Sequence, residues 1–293
     1  RNLPGRIFAY SIKYHCLSAF SIAEDLNFAK RISPMIANYH THTYRCNHAR
    51  GSEREYIERA IAQGVRVLGF SDHVPWPYKS GFVHHGVRMP VTQLDEYVQT
   101  MRSLREKYAD QISLRIGFEC EYFPEYMDWL AEMKQEKQLD YLIFGCHYDT
   151  TDEGGFYFGN ASDAKQLVRY VDSALKGIDT GMFAYLAHPD LFMRRYGKFD
   201  DNCRAAARDL AAACKAMNLP MEYNVHDRFI EYQTNRVSYP NPEFFDIAAQ
   251  AGVKIIIGVD AHEPAELSNP AQWDRAMKEL ERFGDLHIGH LEL

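Results

Sequence analysis

Short apolar runs alternate with longer amphipathic segments along the chain from residue 36 onward. Runs of about four to eight apolar residues are typical of buried β-strands, and an apolar residue at every third or fourth position is typical of a helix. The predicted strands are 36–39, 65–71, 113–121, 141–147, 183–188, 221–224 and 253–259. The predicted helices are 52–64, 92–108, 125–137, 162–175, 205–217, 241–251 and 271–283. This alternation predicts a parallel sheet covered by helices.

Turn and capping signals agree with these boundaries. Ser52 and Glu55 have the spacing of a capping box at the first helix, and Gly64 ends that helix. The pair Gly154-Gly155 predicts a hairpin before the fourth helix. Seven strands predict a small or distorted α/β barrel, with its functional groups at the carboxyl ends of the strands.

The first 34 residues do not share this pattern. Residues 7–20 mix apolar side chains with Lys13 and His15, which makes them a poor signal peptide. The first predicted strand begins directly after Met35. We therefore expect one barrel domain over residues 35–293 and an N-terminal extension, residues 1–34, that is not part of the core fold.

Composition sets limits on the function. The 293 residues are 46% hydrophobic and carry a formal net charge of −7. No run of about eighteen apolar residues is present to span a bilayer, and nucleic-acid polymers and anionic membranes bind basic surfaces. The six cysteines show no CxxC spacing, which favours reduced thiols. We expect a cytoplasmic protein, monomeric or a small homo-oligomer, that binds neither membranes nor nucleic-acid polymers.

Histidines and acids follow the carboxyl ends of the predicted strands. His40 and His42 lie two positions apart, so both side chains project to one face of a strand. Asp260 and His262 repeat this spacing after an apolar strand, where ionisable groups are seldom buried without partners. The remaining candidates lie at or just beyond the carboxyl ends of other predicted strands, and they are His48, His73, Glu119, His147 and His188.

This set of donors indicates a metal centre. Imidazoles and carboxylates bind borderline and hard divalent cations, and the set contains no cysteine, which favours a catalytic Zn, Mn or Fe cluster over a structural zinc site. The other six histidines are left outside the set. His15, His287 and His290 lie near the chain ends, whereas His84, His85 and His226 could approach a substrate.

The motifs around these residues resemble those of a known family. In chain order they are His-x-His-Thr from His40, a further histidine at His48, Ser-Asp-His ending at His73, Gly-Phe-Glu ending at Glu119, Gly-x-His ending at His147, His-Pro-Asp from His188 and Gly-x-Asp-Ala-His ending at His262. As an ordered set over about residues 35–290, they resemble the polymerase and histidinol phosphatase (PHP) superfamily, and specifically its histidinol-phosphatase branch. The pairs Arg88-Met89, Glu222-x-Asn224 and Tyr239-Pro240 support the resemblance.

The resemblance implies a distorted (β/α)7 TIM-like barrel that holds three divalent metal ions. The first ion would be bound by His40, His42, Glu119 and Asp260. Glu119 would bridge to a second ion, which His147 and His188 also bind. The third ion would be bound by His48, His73 and His262. Cys146 and Tyr148 beside His147, and Val259 where a serine is usual, depart from the family pattern and bear on substrate preference.

Hydrolysis of a small phosphorylated substrate is the chemistry that such a site suits. A hydroxide between two metals is the expected nucleophile, because a bound metal lowers the pKa of water from about 15.7 towards 7. Arginines are expected to clamp the phosphate, and the candidates are Arg194, Arg195, Arg228 and Arg88. Three acids could orient ligand imidazoles, bind a substrate amine or protonate the leaving oxygen, and these are Asp72, Asp190 and Glu121.

We therefore expect a metal-dependent phosphomonoesterase of histidine biosynthesis that converts L-histidinol phosphate to L-histidinol and phosphate. One alternative is a PHP phosphoesterase that acts on another small phosphate or on nucleotide 3′-phosphates. Another is a non-catalytic PHP module that serves as a metal-stabilised scaffold. The complete set of nine ligands disfavours the scaffold, which does not need all of them.

Overall fold

A computed structural model of the protein describes residues 35–229 and 238–293. The predicted extension, residues 1–34, lies outside the described residues, so the domain boundary stays a prediction. Within the described residues, eight strands form a parallel sheet in chain order. They are β1 Ala37–Asn38, β2 Val67–Phe70, β3 Ser113–Cys120, β4 Tyr141–Gly145, β5 Leu186–Ala187, β6 Met221–Asn224, β7 Ile255–Gly258 and β8 His287–Ile288.

The helices alternate with the strands and cover one face of the sheet. In the described part of the chain they are α1 Glu53–Ala62, α2 Leu94–Lys107, α3 Met127–Glu136, α4 Ala164–Asp179, α5 Met193–Tyr196, α6 Asp201–Ala216, α7 His226–Phe229, α8 Pro242–Gln250 and α9 Pro270–Leu280. Their apolar faces share one core with the strands, because Tyr97 of α2 and Tyr170 of α4 are buried in the same cluster as Phe118 and Phe144. None of these helices has the length and apolar character needed to cross a bilayer.

Strand β4 separates two apolar cores. Leu142 and Phe144 belong to the large cluster that the helices cover. Tyr141 and Ile143 belong to a smaller cluster, which also contains Tyr185 from the segment before β5. Because successive side chains of a strand point to opposite faces, the smaller cluster fills the inside of the curled sheet. Burial on both faces explains why the strand sequences are almost continuously apolar.

The sheet curls until its first and seventh strands meet just beyond β1 and β7. There the backbone N–H of His42 donates to the carbonyl of Ala261 at 2.8 Å, and the N–H of Ala261 donates to the carbonyl of His40 at 3.1 Å. The short β8 pairs with the opposite end of β7, where Ile255 is in register with His287. The structure is therefore a seven-stranded barrel with an additional short strand, which confirms the predicted α/β, TIM-like fold.

Several elements differ from the prediction at their ends. The predicted strand 183–188 is reduced to Leu186–Ala187. Helix α6 begins four residues earlier than predicted, because the Asp200 side chain caps it by accepting the N–H groups of Asn202 and Cys203. The two-residue β8 and the four-residue α5 and α7 were not predicted, since such short elements carry little periodicity.

Helix α4 approaches β4 closely at Gly177. A β-carbon at this position would overlap with the buried ring of Phe144, whereas a β-carbon at Gly154, in the hairpin, would have no neighbour within 4 Å. Alanine normally stabilises a helix by about 1 kcal/mol relative to glycine. Because of this overlap, we expect alanine at position 177 to destabilise the protein instead.

We expect Gly177→Ala to lower the free energy of unfolding by about 1–3 kcal/mol, as overpacked cores generally do. Urea unfolding followed by circular dichroism measures this. Gly154→Ala is the matched control and is expected to change stability by less than about 0.5 kcal/mol. A Gly177→Ala protein as stable as the parent would show that α4 can move away from β4 at no cost.

Candidate metal centre

The predicted ligands meet at the carboxyl ends of the strands, around a solvent-open cavity of about 390 Å³. Eight of the nine line this cavity: His42, His48, His73, Glu119, His147, His188, Asp260 and His262. The ninth, His40, is fully buried. The structure therefore brings together side chains that are spread over more than 200 positions of the sequence.

Two of these residues have an unusual backbone conformation. His188 and Asp260, which closely follow β5 and β7, have positive φ angles of 27° and 52°. Residues other than glycine seldom adopt this region, and such conformations persist where the surrounding contacts impose them, often at functional sites. At His188, one such contact is a hydrogen bond of 3.0 Å from its N–H to the Glu222 carboxylate.

The first donor group has the dimensions of a metal site. The Nε2 atoms of His40 and His42 lie 3.1 Å apart. Each of them lies 3.2–3.5 Å from Oε2 of Glu119 and from Oδ1 of Asp260. Four donors arranged tetrahedrally about 2.05 Å from a zinc ion are about 3.3 Å from one another. The measured separations therefore fit a divalent cation.

Glu119 connects this group to a second one through its other oxygen. Its Oε1 lies 2.8 Å from Nε2 of His188 and 3.3 Å from Nε2 of His147. His73 also approaches this carboxylate, with Nδ1 at 3.2 Å from Oε2. One buried carboxylate is thus shared between two neighbouring sets of imidazoles, as a bridging ligand would be.

A third group contains His48 and His262, whose Nε2 atoms lie 3.0 Å apart. Their Nδ1 atoms lie 2.7 Å from the carbonyl of Cys46 and 2.9 Å from the carbonyl of Asp260, respectively. Because a carbonyl only accepts, we assign the proton of each ring to Nδ1.

The charge state of the His48 and His262 rings also favours a bound cation. Burial and the charge of His42 lower the pKa of both His48 and His262, so both rings are neutral at pH 7. Two neutral rings protonated at Nδ1 present lone pairs to each other at Nε2, with no proton between them. A divalent cation is the partner that such an arrangement fits.

The carboxylates of the first group stay ionised in spite of burial. Burial by itself raises the pKa of Glu119, but His147, His40 and His73 lower it to well below its ordinary value. For Asp260, burial also raises the pKa, and His40 and His42 lower it well below the usual range. The interior therefore holds negative charge that a divalent cation would neutralise.

Glu222 contacts the ring nitrogen of His40 that does not face the other donors. Its Oε1 lies 2.8 Å from Nδ1 of His40, and its Oε2 accepts from the Asn224 amide at 2.8 Å. A β-carbon at Gly258, on the neighbouring strand, would overlap with this carboxylate, so the position requires glycine. From the sequence, Glu222 is recognisable only as part of a motif, because its contact with His40 joins residues 182 positions apart.

Glu121 makes the equivalent contact with the ring of His147. Its carboxylate lies 3.0 Å from Nδ1 of His147, accepts from the Trp76 indole at 2.8 Å and pairs with Arg88 at 3.0 Å. Burial raises the pKa of Glu121, but Arg88 and His147 lower it below its ordinary value. Arg88 is itself buried and also pairs with Asp152 at 2.7 Å. Glu121 and Arg88 thus lie behind His147 and are not among the residues that line the cavity.

The other two candidate acids are also buried outside the cavity lining. Asp72 accepts from the Thr43 N–H at 2.7 Å and from the Cys46 thiol at 2.9 Å. Asp190 accepts from the N–H of Asn241 at 2.6 Å, which joins the loop after β5 to the start of α8. Burial raises the pKa of Asp190 to about 7, against the opposing effect of the Asn241 hydrogen bond. Both acids therefore hold backbone segments that carry ligands.

The candidate arginines occupy different surroundings. Arg194 lines the cavity and donates to the hydroxyl of Tyr157 at 3.1 Å. Arg195 is exposed and is not among the lining residues. Arg228 is buried and pairs with Glu279 of α9 at 2.5 Å. Of the four candidates, the structure places Arg194 at the cavity.

Other residues line the cavity that the sequence analysis did not select. They are Tyr157, Leu191, Tyr239, Glu263 and Glu266, together with His226, which was left outside the ligand set. Glu263 and Glu266 directly follow the last ligand motif, and that position was the signal available in the sequence. The two acids and Arg194 line the same cavity.

Several known proteins resemble this chain. The PHP domain family model matches residues 38–226. A probable histidinol-phosphatase of Deinococcus radiodurans is 26% identical over 266 residues, which cover 85% of this chain and 94% of that protein. A probable histidinol-phosphatase of Schizosaccharomyces pombe is 25% identical over 255 residues, which cover 78% of this chain and 81% of that protein.

A solved structure has the same fold. The histidinol phosphate phosphatase of Lactococcus lactis, in complex with zinc, L-histidinol and phosphate, superposes with a TM-score of 0.67 and 17% sequence identity. The superposition covers 89% of this chain and all of that one. At this identity, the likeness concerns the fold.

The contact between Glu222 and His40 can be tested by substitution. We expect Glu222→Gln, which keeps the size but removes the charge, to weaken divalent metal binding about 10- to 100-fold, the usual effect of losing an outer partner of a ligand histidine. Competition for Zn²⁺ with a chromophoric chelator measures the affinity. Glu132→Gln, at an exposed position of α3, is the control. Equal affinities of the two variants would show that His40 needs no carboxylate behind it.

Proposed function

Because the chain belongs to the PHP domain family, whose model matches residues 38–226, we propose that it is a metal-dependent phosphomonoesterase that converts L-histidinol phosphate to L-histidinol and phosphate. The observation that carries the proposal is the convergence of nine imidazole and carboxylate ligands beside a cavity that is open to solvent and lined by Arg194. The names of the two relatives support the choice of substrate, since the first aligns over 94% of its length.

We propose three divalent cations of Zn, Mn or Fe. The sets of ligands are His40, His42, Glu119 and Asp260 for the first, Glu119, His147 and His188 for the second, and His48, His73 and His262 for the third. When bound, such ions bring the pKa of a water molecule close to neutrality and neutralise charge on phosphoryl oxygens. The separations of 3.1–3.5 Å in the first set and the facing lone pairs of His48 and His262 support this assignment.

Arg194 is the residue that we propose to bind the phosphate. A guanidinium presents several N–H donors in one plane, which matches the oxygens of a phosphate. Arg194 lies at the cavity beside Tyr157, whose hydroxyl accepts one of its hydrogen bonds. This contact restricts the orientation of the Arg194 side chain. Arg195 does not line the cavity. Arg228 pairs with the partly buried Glu279, and Arg88 pairs with the buried Glu121.

Glu263 and Glu266 favour a substrate that carries positive charge besides its phosphate. Both acids line the cavity. Oε2 of Glu266 accepts from the N–H of His262 at 2.6 Å, which fixes this carboxylate beside a ligand. L-histidinol phosphate has an amine and an imidazole that such carboxylates attract, whereas a sugar phosphate has neither. The charge of the cavity wall therefore favours the amino-alcohol phosphate over the alternatives.

The proposal is tested by phosphate release after the protein has been stripped of metal and reloaded with Zn²⁺ or Mn²⁺. We expect turnover of L-histidinol phosphate to exceed that of sugar phosphates and nucleotide 3′-phosphates, and to disappear when a chelator is added. Turnover that survives chelation would refute metal dependence. Faster turnover of another phosphate would assign the chain to a different PHP phosphoesterase, and metal binding without turnover of any ester would make it a scaffold.

The phosphate contact is tested by comparing two neighbouring arginines. We expect Arg194→Ala to lower kcat/KM for L-histidinol phosphate about 100-fold, as does removal of one fixed donor to a developing negative charge. Arg195→Ala removes the same charge one position away and is expected to have a much smaller effect. A larger loss in Arg195→Ala would transfer the phosphate contact to Arg195.

A further inference from the structure

Cys46 lies at the centre of a set of buried contacts behind the metal centre. It ends a short 3₁₀ helix, Tyr44–Cys46, and is fully buried. Its Sγ lies 3.3 Å from Nδ1 of His42, 2.9 Å from Oδ1 of Asp72 and 3.2 Å from the backbone nitrogen of His73. One thiol therefore contacts a ligand ring, the backbone of a second ligand and a carboxylate.

The single proton of the thiol determines how these contacts are made. The Asp72 carboxylate already accepts from the N–H of Thr43 at 2.7 Å and from its hydroxyl at 3.0 Å, and it acts as an acceptor for the thiol as well. The S–H of Cys46 is thus donated to Asp72. The sulfur then has only lone pairs left for its other neighbours, so it accepts from the His73 N–H and from Nδ1 of His42.

This arrangement fixes the tautomer of His42. Nδ1 of His42 carries the proton that the sulfur accepts, so Nε2 is the nitrogen that would give its lone pair to a cation in place of a second proton. That atom faces Glu119 Oε2 at 3.4 Å and Asp260 Oδ1 at 3.2 Å. His40 and His147 obtain the same result from the carboxylates of Glu222 and Glu121. At His42 a neutral thiol stands between the ring and the Asp72 carboxylate.

We infer that Cys46 is a positioning residue, which sets the tautomer and orientation of His42 and ties this ligand to the backbone of His73. The inference rests on the proposed metal-dependent function. It means that the affinity for metal depends on Cys46 in addition to the nine proposed ligands. Cys46 acts through His42 and is not among the residues that line the cavity.

A direct role of the thiol as a metal ligand is the competing explanation. Sγ of Cys46, Nδ1 of His42 and Oδ1 of Asp72 lie close enough together to form a donor group. However, Asp72 already accepts hydrogen bonds from the Thr43 N–H, the Thr43 hydroxyl and the thiol itself. In addition, Nδ1 of His42 points away from the cation site that its Nε2 faces. The two roles predict different spectra, because only a ligating thiolate gives a charge-transfer absorption with Co²⁺.

The experiment compares variants of Cys46 with a matched buried cysteine. Cys46→Ser keeps a donor and an acceptor, Cys46→Ala and Cys46→Val remove both, and Cys214→Ala removes a buried thiol from α6. Zn²⁺ affinity is measured by chelator competition, together with kcat and KM. We expect Cys46→Ala and Cys46→Val to bind Zn²⁺ about 10- to 100-fold more weakly. Cys46→Ser should stay within a few fold of the parent, and Cys214→Ala should match it.

Each result decides for or against the inference. The inference would be wrong if Cys46→Ala and Cys46→Val bound Zn²⁺ as tightly as the parent. It would also be wrong if Cys46→Ser lost as much Zn²⁺ affinity as Cys46→Ala. A thiolate charge-transfer absorption in the Co²⁺-loaded parent would show instead that Cys46 is a ligand. Cys46→Val fills the space of the thiol and provides the answer if Cys46→Ala does not fold. The affinity for Zn²⁺ is measured without substrate and does not depend on activity. A parent protein that binds Zn²⁺ but hydrolyses no ester would therefore refute the proposed function, while the affinities of the Cys46 variants would still test the role of Cys46.

Discussion

The carboxylate of Glu119 is buried within 3.5 Å of five imidazole nitrogens, and the remainder of the site is arranged around it. An ionised carboxylate in a protein interior is costly unless opposite charge or hydrogen bonds compensate it. The five rings belong to His40, His42, His73, His147 and His188. Protons or metal ions can supply the positive charge, and the facing lone pairs of His48 and His262 favour metal ions for the group as a whole.

Hydrogen bonds to the outer ring nitrogens orient the imidazoles of the candidate ligands. Glu222 and Glu121 hold the outer nitrogens of His40 and His147, and backbone carbonyls hold those of His48 and His262. Glycines make room both for the carboxylate of Glu119 and for the acids behind the ligands. A β-carbon at Gly145 would overlap with the Glu119 carboxylate and the His147 ring, as one at Gly258 would with Glu222. The strand sequences are therefore constrained by the carboxylates beside them as well as by their own burial.

The order of strands and helices, and the placement of the candidate donors at the strand ends, could be predicted from the sequence because both depend on local patterns. Apolar runs mark strands wherever the strand is buried on both faces, as β4 is. Contacts between distant residues were not predictable in this way. Arg88 was interpreted as a phosphate ligand from its charge, but it lies against Glu121 and Asp152, and nothing in the sequence indicates which acid an arginine will meet. Likewise Cys46 had no assigned role, since the spacing of its contacts to Asp72 and His73 follows no motif.

The meeting of the first and seventh strands has a consequence for how the protein acquires its cations during biosynthesis. The hydrogen bond between Asn38 and the Val259 N–H joins positions 221 residues apart. Contacts over such sequence distances form late, since a long loop must close first. On the ribosome, His40 and His42 emerge well before Asp260 and His262 exist. A nascent chain therefore carries His40 and His42 without Asp260, so the proposed first set of ligands is complete only when the barrel is.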